Sequence, residues 1–182
     1  PRALQTLLRL TTLLRAVLRS EGEFTTLGRE LDLIESYLDI ERARFDERLR
    51  VTIDVPASLR DLKLPPLVLQ PLVENAVKHG ISQKELGGEV AILARIDRVN
   101  DAAHRLTLVV SDSGAGSSPT ALQWGRNRGV GLRNIERRLD HHYGTAASLW
   151  IESTAGVGTR VEIRIPMALD VPQHREPDRV AM

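Results

Sequence analysis

Apolar positions at the start of the chain recur with a helical period. In residues 2–20 (RALQTLLRLTTLLRAVLRS), Leu4, Leu7, Leu8, Leu14 and Leu18 fall at helical spacing, with Leu10, Leu13 and Val17 beside them. That stripe is wider than a single buried neighbour requires. Gly22 interrupts it. A second helix is predicted from Thr25 or Thr26 to about Phe45, with Leu27, Leu31, Ile34, Leu38 and Phe45 on one face. Residues 1–46 therefore read as an antiparallel helical hairpin with apolar surface to spare, which predicts a homodimer through a partner hairpin.

From Leu49 the period changes to two. Leu49, Val51, Ile53 and Val55 alternate with Arg50, Thr52 and Asp54, a strand with one buried face that Pro56 ends. A third helix is expected after Pro65-Pro66, running to about His79-Gly80. Strands are predicted over 89–96, 105–111, 147–152 and 159–165, the last ending at Pro166, with a helix from about Gly131 to His142. Asn100-Asp101 and Ala155-Gly156-Val157-Gly158 read as hairpin turns. The expected fold of residues 47–166 is a two-layer α/β (α+β) sandwich, a mixed sheet with helices on one face. The strands from Leu49 onward are expected to form a core of their own. The polar, aperiodic tail of residues 167–182 is expected to be disordered.

Composition narrows the function classes. Of 182 residues, 42% are apolar and only 3% aromatic, so aliphatic side chains must pack the core. Twenty-five Lys plus Arg against 24 Asp plus Glu leave +1, which argues for neither a nucleic-acid partner nor a lipid surface. The absence of Cys excludes a disulfide scaffold, a thiolate zinc site and a cysteine nucleophile. No apolar run approaches the ~20 residues that span a bilayer, so this segment is expected to be cytoplasmic and free of membrane contact. The chain starts at Pro1 and is expected to be part of a longer protein, any inner-membrane anchor belonging to upstream segments.

The third helix carries the first chemistry. Leu69, Leu72, Val73, Ala76 and Gly80 share one face, while Pro71, Glu74, Asn75, Lys78 and His79 take the other. An Asn oxygen suits Mg²⁺ and a Lys suits phosphate. The same residues also suit an ordinary Glu74–Lys78 surface pair with a solvated Asn75. Further on, a strand runs into Asp112, Gly114 and Gly116. A strand-end carboxylate can accept from a base's exocyclic amine, and glycines let a flat ligand approach, although tight turns favour the same residues. Gly129 and Gly131 then open a helix, whose free N–H groups suit phosphate. A dinucleotide-fold reading of this loop fails, because its third glycine position is Asn134 and a polar stretch, not a strand, precedes it. A methyltransferase reading of Asp112-x-Gly-x-Gly stays open but leaves the Glu74–His79 helix unexplained.

The order of these signals resembles the GHKL ATPase superfamily of gyrase B, MutL, the heat-shock chaperone and histidine kinases. Leu69-Gln-Pro-Leu-Val-Glu-Asn-Ala-Val-Lys-His-Gly80 is similar to the asparagine box of LytS-type sensor histidine kinases, and Gly129 to Leu139 to their second glycine box. The upstream blocks Leu7 to Arg15 and Leu31 to Phe45 share the resemblance, which covers about residues 4–166. It implies ATP and Mg²⁺ as cofactors, Asn75 as metal ligand, and Glu74, Lys78 and His79 as catalytic-site residues near the phosphates. It implies that Asp112 binds the adenine amine, Gly114 and Gly116 shape the pocket, and Thr159 supports it. Residues 117–128 would form a lid, with Gly129, Gly131, Leu132 and Asn134 at the phosphates. A cognate response regulator is the implied partner, and γ-phosphate transfer to a histidine the implied reaction. Two departures stand out. Gyrase-type relatives carry a catalytic Glu where this chain has Pro71, and residues 1–46 contain no histidine, so the phosphoacceptor is expected upstream. The alternative function is a catalytically silent, ATP-gated protein-binding module.

Overall fold

The computed structural model describes residues 24–99, 103–118 and 130–167. Helix α1, Leu27–Phe45, starts where a threonine can cap it. Thr26 is extended, and its hydroxyl accepts the Arg29 N–H at 3.3 Å. Just before it, strand β1 (Thr25–Thr26) pairs antiparallel with β3 (Lys63–Leu64). These two-residue strands carry no periodic signal. They tie the entry of α1 to the rest of the fold, helped by Leu27 N–H donating to Leu62 O at 2.9 Å.

The main sheet has five strands in the order β2-β4-β5-β7-β6. They are β2 (Leu49–Asp54), β4 (Gly88–Arg98), β5 (His104–Asp112), β7 (Gly158–Met167) and β6 (Ser148–Thr154). β2 runs parallel to β4 and every other pair is antiparallel, so the sheet is mixed as expected. A parallel pair needs a crossover. Helix α2 (Gln70–Asn75) lies within it, and α3 (Val130–Tyr143) precedes β6. The register aligns Val90, Asp112 and Thr159 across three strands, with Ser153 beside Thr159 on a fourth. That end of the sheet becomes the site.

One core joins the sheet to all three helices. Ile92, Leu108 and Ile163 from the strands meet Leu69 at the cap of α2, Leu72 and Val73 within it, and Ile135 and Leu139 of α3, all buried. The predicted face of α1 is there too: Leu27, Leu31, Ile34, Leu38 and Phe45 are buried in the same cluster. The strands from Leu49 onward therefore do not make their core alone. Each of these α1 side chains contributes about 1.5–3 kcal/mol of burial at most. The apolar face of α1 is consumed within the chain, and only Ile40 among its large apolar residues is exposed.

Other expectations move in detail. The third helix does not start after Pro65-Pro66. Leu67 sits at φ 59, outside the right-handed helical region, so α2 begins at Gln70 and Pro71 is the proline of its first turn. Strand β7 continues through Pro166 to Met167, which also moves the start of the tail. β6 pairs only as far as Arg164, so the proline lies where β7 has lost one neighbour and a missing N–H is tolerated. The turn at Asn100-Asp101, the helix expected over 2–20, residues 119–128 of the lid, Gly129 and the tail from residue 168 lie outside the described residues.

Candidate nucleotide-binding site

Helix α2 does not end at Asn75. It widens into a π turn over Ala76–Gly80, where the Ile81 N–H reaches back to Ala76 O. Such wider turns recur at functional sites. The apolar residues Leu72, Val73, Ala76 and Val77 stay buried, Glu74 and Asn75 are half-buried, and Lys78 and His79 are exposed, so the two-faced reading of this helix survives. The Glu74 carboxylate accepts the Gln70 side-chain N–H at 2.9 Å. Among the described residues no ion pair joins it to Lys78, and no hydrogen bond engages the Asn75 amide. Desolvation and then the adjacent Lys78 charge hold His79 below the usual imidazole range, so it is neutral near pH 7.

Asp112 lies at the end of β5, directly against the end of this helix. A methyl group at Gly80 would stand 2.4 Å from Asp112 Oδ1, and one at Gly114 would stand 2.2 Å from the Gly80 carbonyl carbon. Both positions must be glycine for helix, carboxylate and loop to touch. Ala115 N–H seals the contact on Gly80 O at 3.1 Å. The backbone N–H groups of Gly114, at 2.9 Å, and of Thr159 donate to the carboxylate. Burial outweighs these bonds and the Lys84 charge, so the Asp112 carboxyl is raised above its ordinary range. It is a desolvated acceptor with capacity left for a further donor.

The remaining expected residues divide. Gly116, at φ 59, folds the chain onto Thr154, and Thr159 meets Ser153 Oγ at 2.9 Å. Gly131, in the first turn of α3, comes within reach of Asn75: a methyl group there would be 3.7 Å from Asn75 Nδ2. Leu132 is half-buried beside it, while Asn134 is exposed on the following turn. Asn75, Gly131, Gly80, Asp112, Gly114 and Thr159 thus line one end of the sheet. Sequence reading missed Ser153, whose hydroxyl accepts the Ser117 N–H at 2.9 Å, and Lys84, whose ammonium donates to Ser113 O at 2.9 Å. Neither carries a local signal, because both meet the site only through strand pairing and loop closure.

No cluster of three or more His, Cys, Asp or Glu able to hold a metal occurs among the described residues. A magnesium ion carried on nucleotide phosphates needs no such cage, only one or two protein oxygens plus water. The uncommitted Asn75 amide fits that requirement.

Comparison with known proteins shows the family and the fold. Residues 61–169 match the family described as Histidine kinase-, DNA gyrase B-, and HSP90-like ATPase, and residues 1–49 match the family Histidine kinase. The chain belongs to the histidine kinase-, gyrase B- and HSP90-like ATPase family, in the form of the ATP-binding catalytic domain of sensor histidine kinases. It is 35% identical to the sensor histidine kinase BtsS of Escherichia coli K12 over 157 residues, 86% of this chain and 26% of that protein. To the sensor protein LytS of Staphylococcus haemolyticus it is 35% identical over 174 residues, 91% and 29% of the two chains. To YwpD of Bacillus subtilis it is 42% identical, covering 82% of this chain and 53% of that one. The chain thus spans about a quarter to a half of the curated relatives it matches. In fold it is similar to the histidine kinase domain of the Erythrobacter litoralis EL346 blue-light activated histidine kinase, with TM-score 0.59 and 19% identity over 84% of this chain and 67% of that one. The catalytic domain of histidine kinase ThkA gives 0.57 and 14%, over 80% and 95%.

Proposed function

We propose that this chain binds Mg-ATP at the end of the sheet and donates the γ-phosphate to a histidine on a segment outside residues 1–46. The observation that carries the reading is the meeting of two halves on one helix. Asn75, free and beside Gly131, faces the start of α3, and Gly80, one π turn later, touches the half-buried Asp112 carboxylate. In this reading Asp112 accepts the adenine amine, with Gly114, Gly116 and Thr159 holding it in place. Asn75 would hold Mg²⁺, which would supply positive charge beside the phosphates. The exposed Lys78 supplies a cation toward the phosphates, while neutral His79 and Glu74, oriented by Gln70, are further polar groups there. Backbone N–H groups of Gly129 and Gly131, with Leu132 and Asn134 behind them, receive phosphate oxygens. Transfer breaks the bond between the γ-phosphorus and the bridging oxygen, leaving ADP, and forms a phosphorus–nitrogen bond to the acceptor imidazole.

The Leu-rich residues 2–20 carry the homodimer contact in this reading, a response regulator receives the phosphate, and the chain works in the cytoplasm. No helix among the described residues is long and apolar enough to cross a membrane. Calorimetric titration tests the nucleotide site. Asp112→Asn is expected to weaken ATP binding by about tenfold to a hundredfold, the worth of a charge-assisted hydrogen bond. Asn75→Ala is expected to remove the dependence of ATP affinity on Mg²⁺. Equal ATP affinity in Asp112→Asn and the parent sinks the adenine assignment, and an unchanged magnesium response in Asn75→Ala sinks the metal assignment.

A further inference from the structure

Glu30 belongs to α1, yet its carboxylate is 1% exposed and faces the segment that starts α2. Oε1 accepts the Leu67 N–H at 2.7 Å, and Oε2 accepts those of Val68 and Leu69 at 3.0 and 3.1 Å. Three consecutive N–H groups converge because Leu67 adopts φ 59, a left-handed conformation that a leucine does not take without support. Successive amides turned this way form a concavity for an anion. Here the chain fills it with its own side chain. From the opposite side Arg138 of α3 donates to Pro66 O, and to Leu67 O at 3.1 Å, and its charge reaches Glu30. One turn, Pro66 to Leu69, is therefore gripped by α1 through its amides and by α3 through its carbonyls. Gln70, the next residue, begins the helix that carries Asn75.

We propose that Glu30 is a positioning residue for the metal and phosphate half of the site. It touches no part of that site. It sets where α2 starts, and the short helix carries that setting to Asn75 and its approach to Gly131. The adenine half, although Gly80 touches it, has supports of its own: Asp112 is held by strand pairing to Val90 and Thr159 and by the Gly114 N–H. Loss of the Glu30 charge therefore weakens binding of the phosphates and metal while sparing the nucleoside. Because Glu30 lies on α1, any movement of that helix acts on the phosphate half first.

The inference rests on the nucleotide reading above, and the whole chain tests both separately. Affinities for Mg-ATP, by calorimetry, and for adenosine, by NMR titration, are compared in the parent, Glu30→Gln and Glu41→Gln. Glu41 is the control, a buried carboxylate at the far end of α1 bonded to Arg44 at 3.3 Å. Glu30→Gln is expected to bind Mg-ATP about tenfold more weakly and adenosine as the parent does, with Glu41→Gln unchanged for both. If Glu30→Gln does not fold, Glu30→Asp, which keeps the charge but shortens its reach, is expected to show the same selective loss, smaller in size. Equal Mg-ATP affinity in parent and variant, or parallel loss of Mg-ATP and adenosine, overturns the proposal. A parent that binds no Mg-ATP refutes the nucleotide reading itself and this inference with it.

Discussion

Two carboxylates on the same sheet show how environment sets the charge state of chemically identical groups. Asp112 is raised because burial dominates and only backbone N–H groups and one ammonium oppose it. Glu162 would also be raised by burial, but hydrogen bonds from Arg160 at 2.8 Å and Arg164 at 2.7 Å outweigh it and hold the group below its ordinary range. Asp112 is met chiefly by backbone N–H groups, whereas two guanidinium charges sit on Glu162. Their effects on pH dependence are opposite in sign. Asp112, raised in the folded state, favours folding most at low pH and loses that contribution as pH rises through its folded value. Glu162, depressed in the folded state, stabilises the fold above its unfolded value and loses the contribution as pH falls through its folded one. Glu162→Gln is therefore expected to cost about 1–2 kcal/mol at neutral pH, the arginine heads being half-exposed. The difference from the parent should vanish below the ordinary carboxylate range. Urea unfolding at neutral and acid pH checks it, and a pH-independent difference contradicts the assignment.

Among the elements, α1 has the most unexpected place. Its apolar periodicity predicts a helix correctly but does not say which surface it covers, and the helix proves to be a wall of the sheet's own core. A chain lacking residues 1–46 is then expected to unfold or aggregate. It loses five core side chains, the β1–β3 pairing and the acceptor for three N–H groups, two of them buried. A chain lacking only residues 1–23 keeps all of these and is expected to stay folded while becoming monomeric, because the Leu-rich segment is gone. Circular dichroism and light scattering distinguish the cases. A folded chain without residues 1–46, or an unchanged mass without residues 1–23, contradicts this division of roles.

At the scale of the whole molecule, the expectation concerns phosphoryl flow. Residues 1–46 contain no histidine, and His79 adjoins the proposed nucleotide site, where in-line attack on the γ-phosphorus is expected to be geometrically disfavoured. By the resemblance drawn above, Pro71 stands where gyrase-type relatives carry a catalytic Glu, so efficient activation of water is not expected. The chain is expected to bind Mg-ATP without labelling itself and with no more than trace ATP hydrolysis. It should transfer phosphate when an acceptor-bearing segment is added in trans. Incubation with radiolabelled ATP tests this, and base-stable, acid-labile label on one of the chain's own histidines refutes it.

The sequence by itself determined the element types and the candidate chemistry. The runs expected to be strands became β2, β4, β5, β6 and β7, and the polar residues between Glu74 and His79 stayed on the outer side of their helix because its apolar positions had one core to enter. Spacing along the chain also singled out Asp112 and Gly114 as candidates, since a strand that ends in an acid and a glycine is a local pattern. What it could not contain were contacts between segments distant in sequence. The touch of Gly80 on Asp112, the approach of Gly131 to Asn75 and the seat of Glu30 beneath Leu67 each join residues more than 30 positions apart. Such contacts are decided by strand register and helix docking, which no local periodicity encodes. The late start of α2 has the same cause: a buried carboxylate from another helix stabilises the left-handed Leu67, and only the folded chain brings the two together.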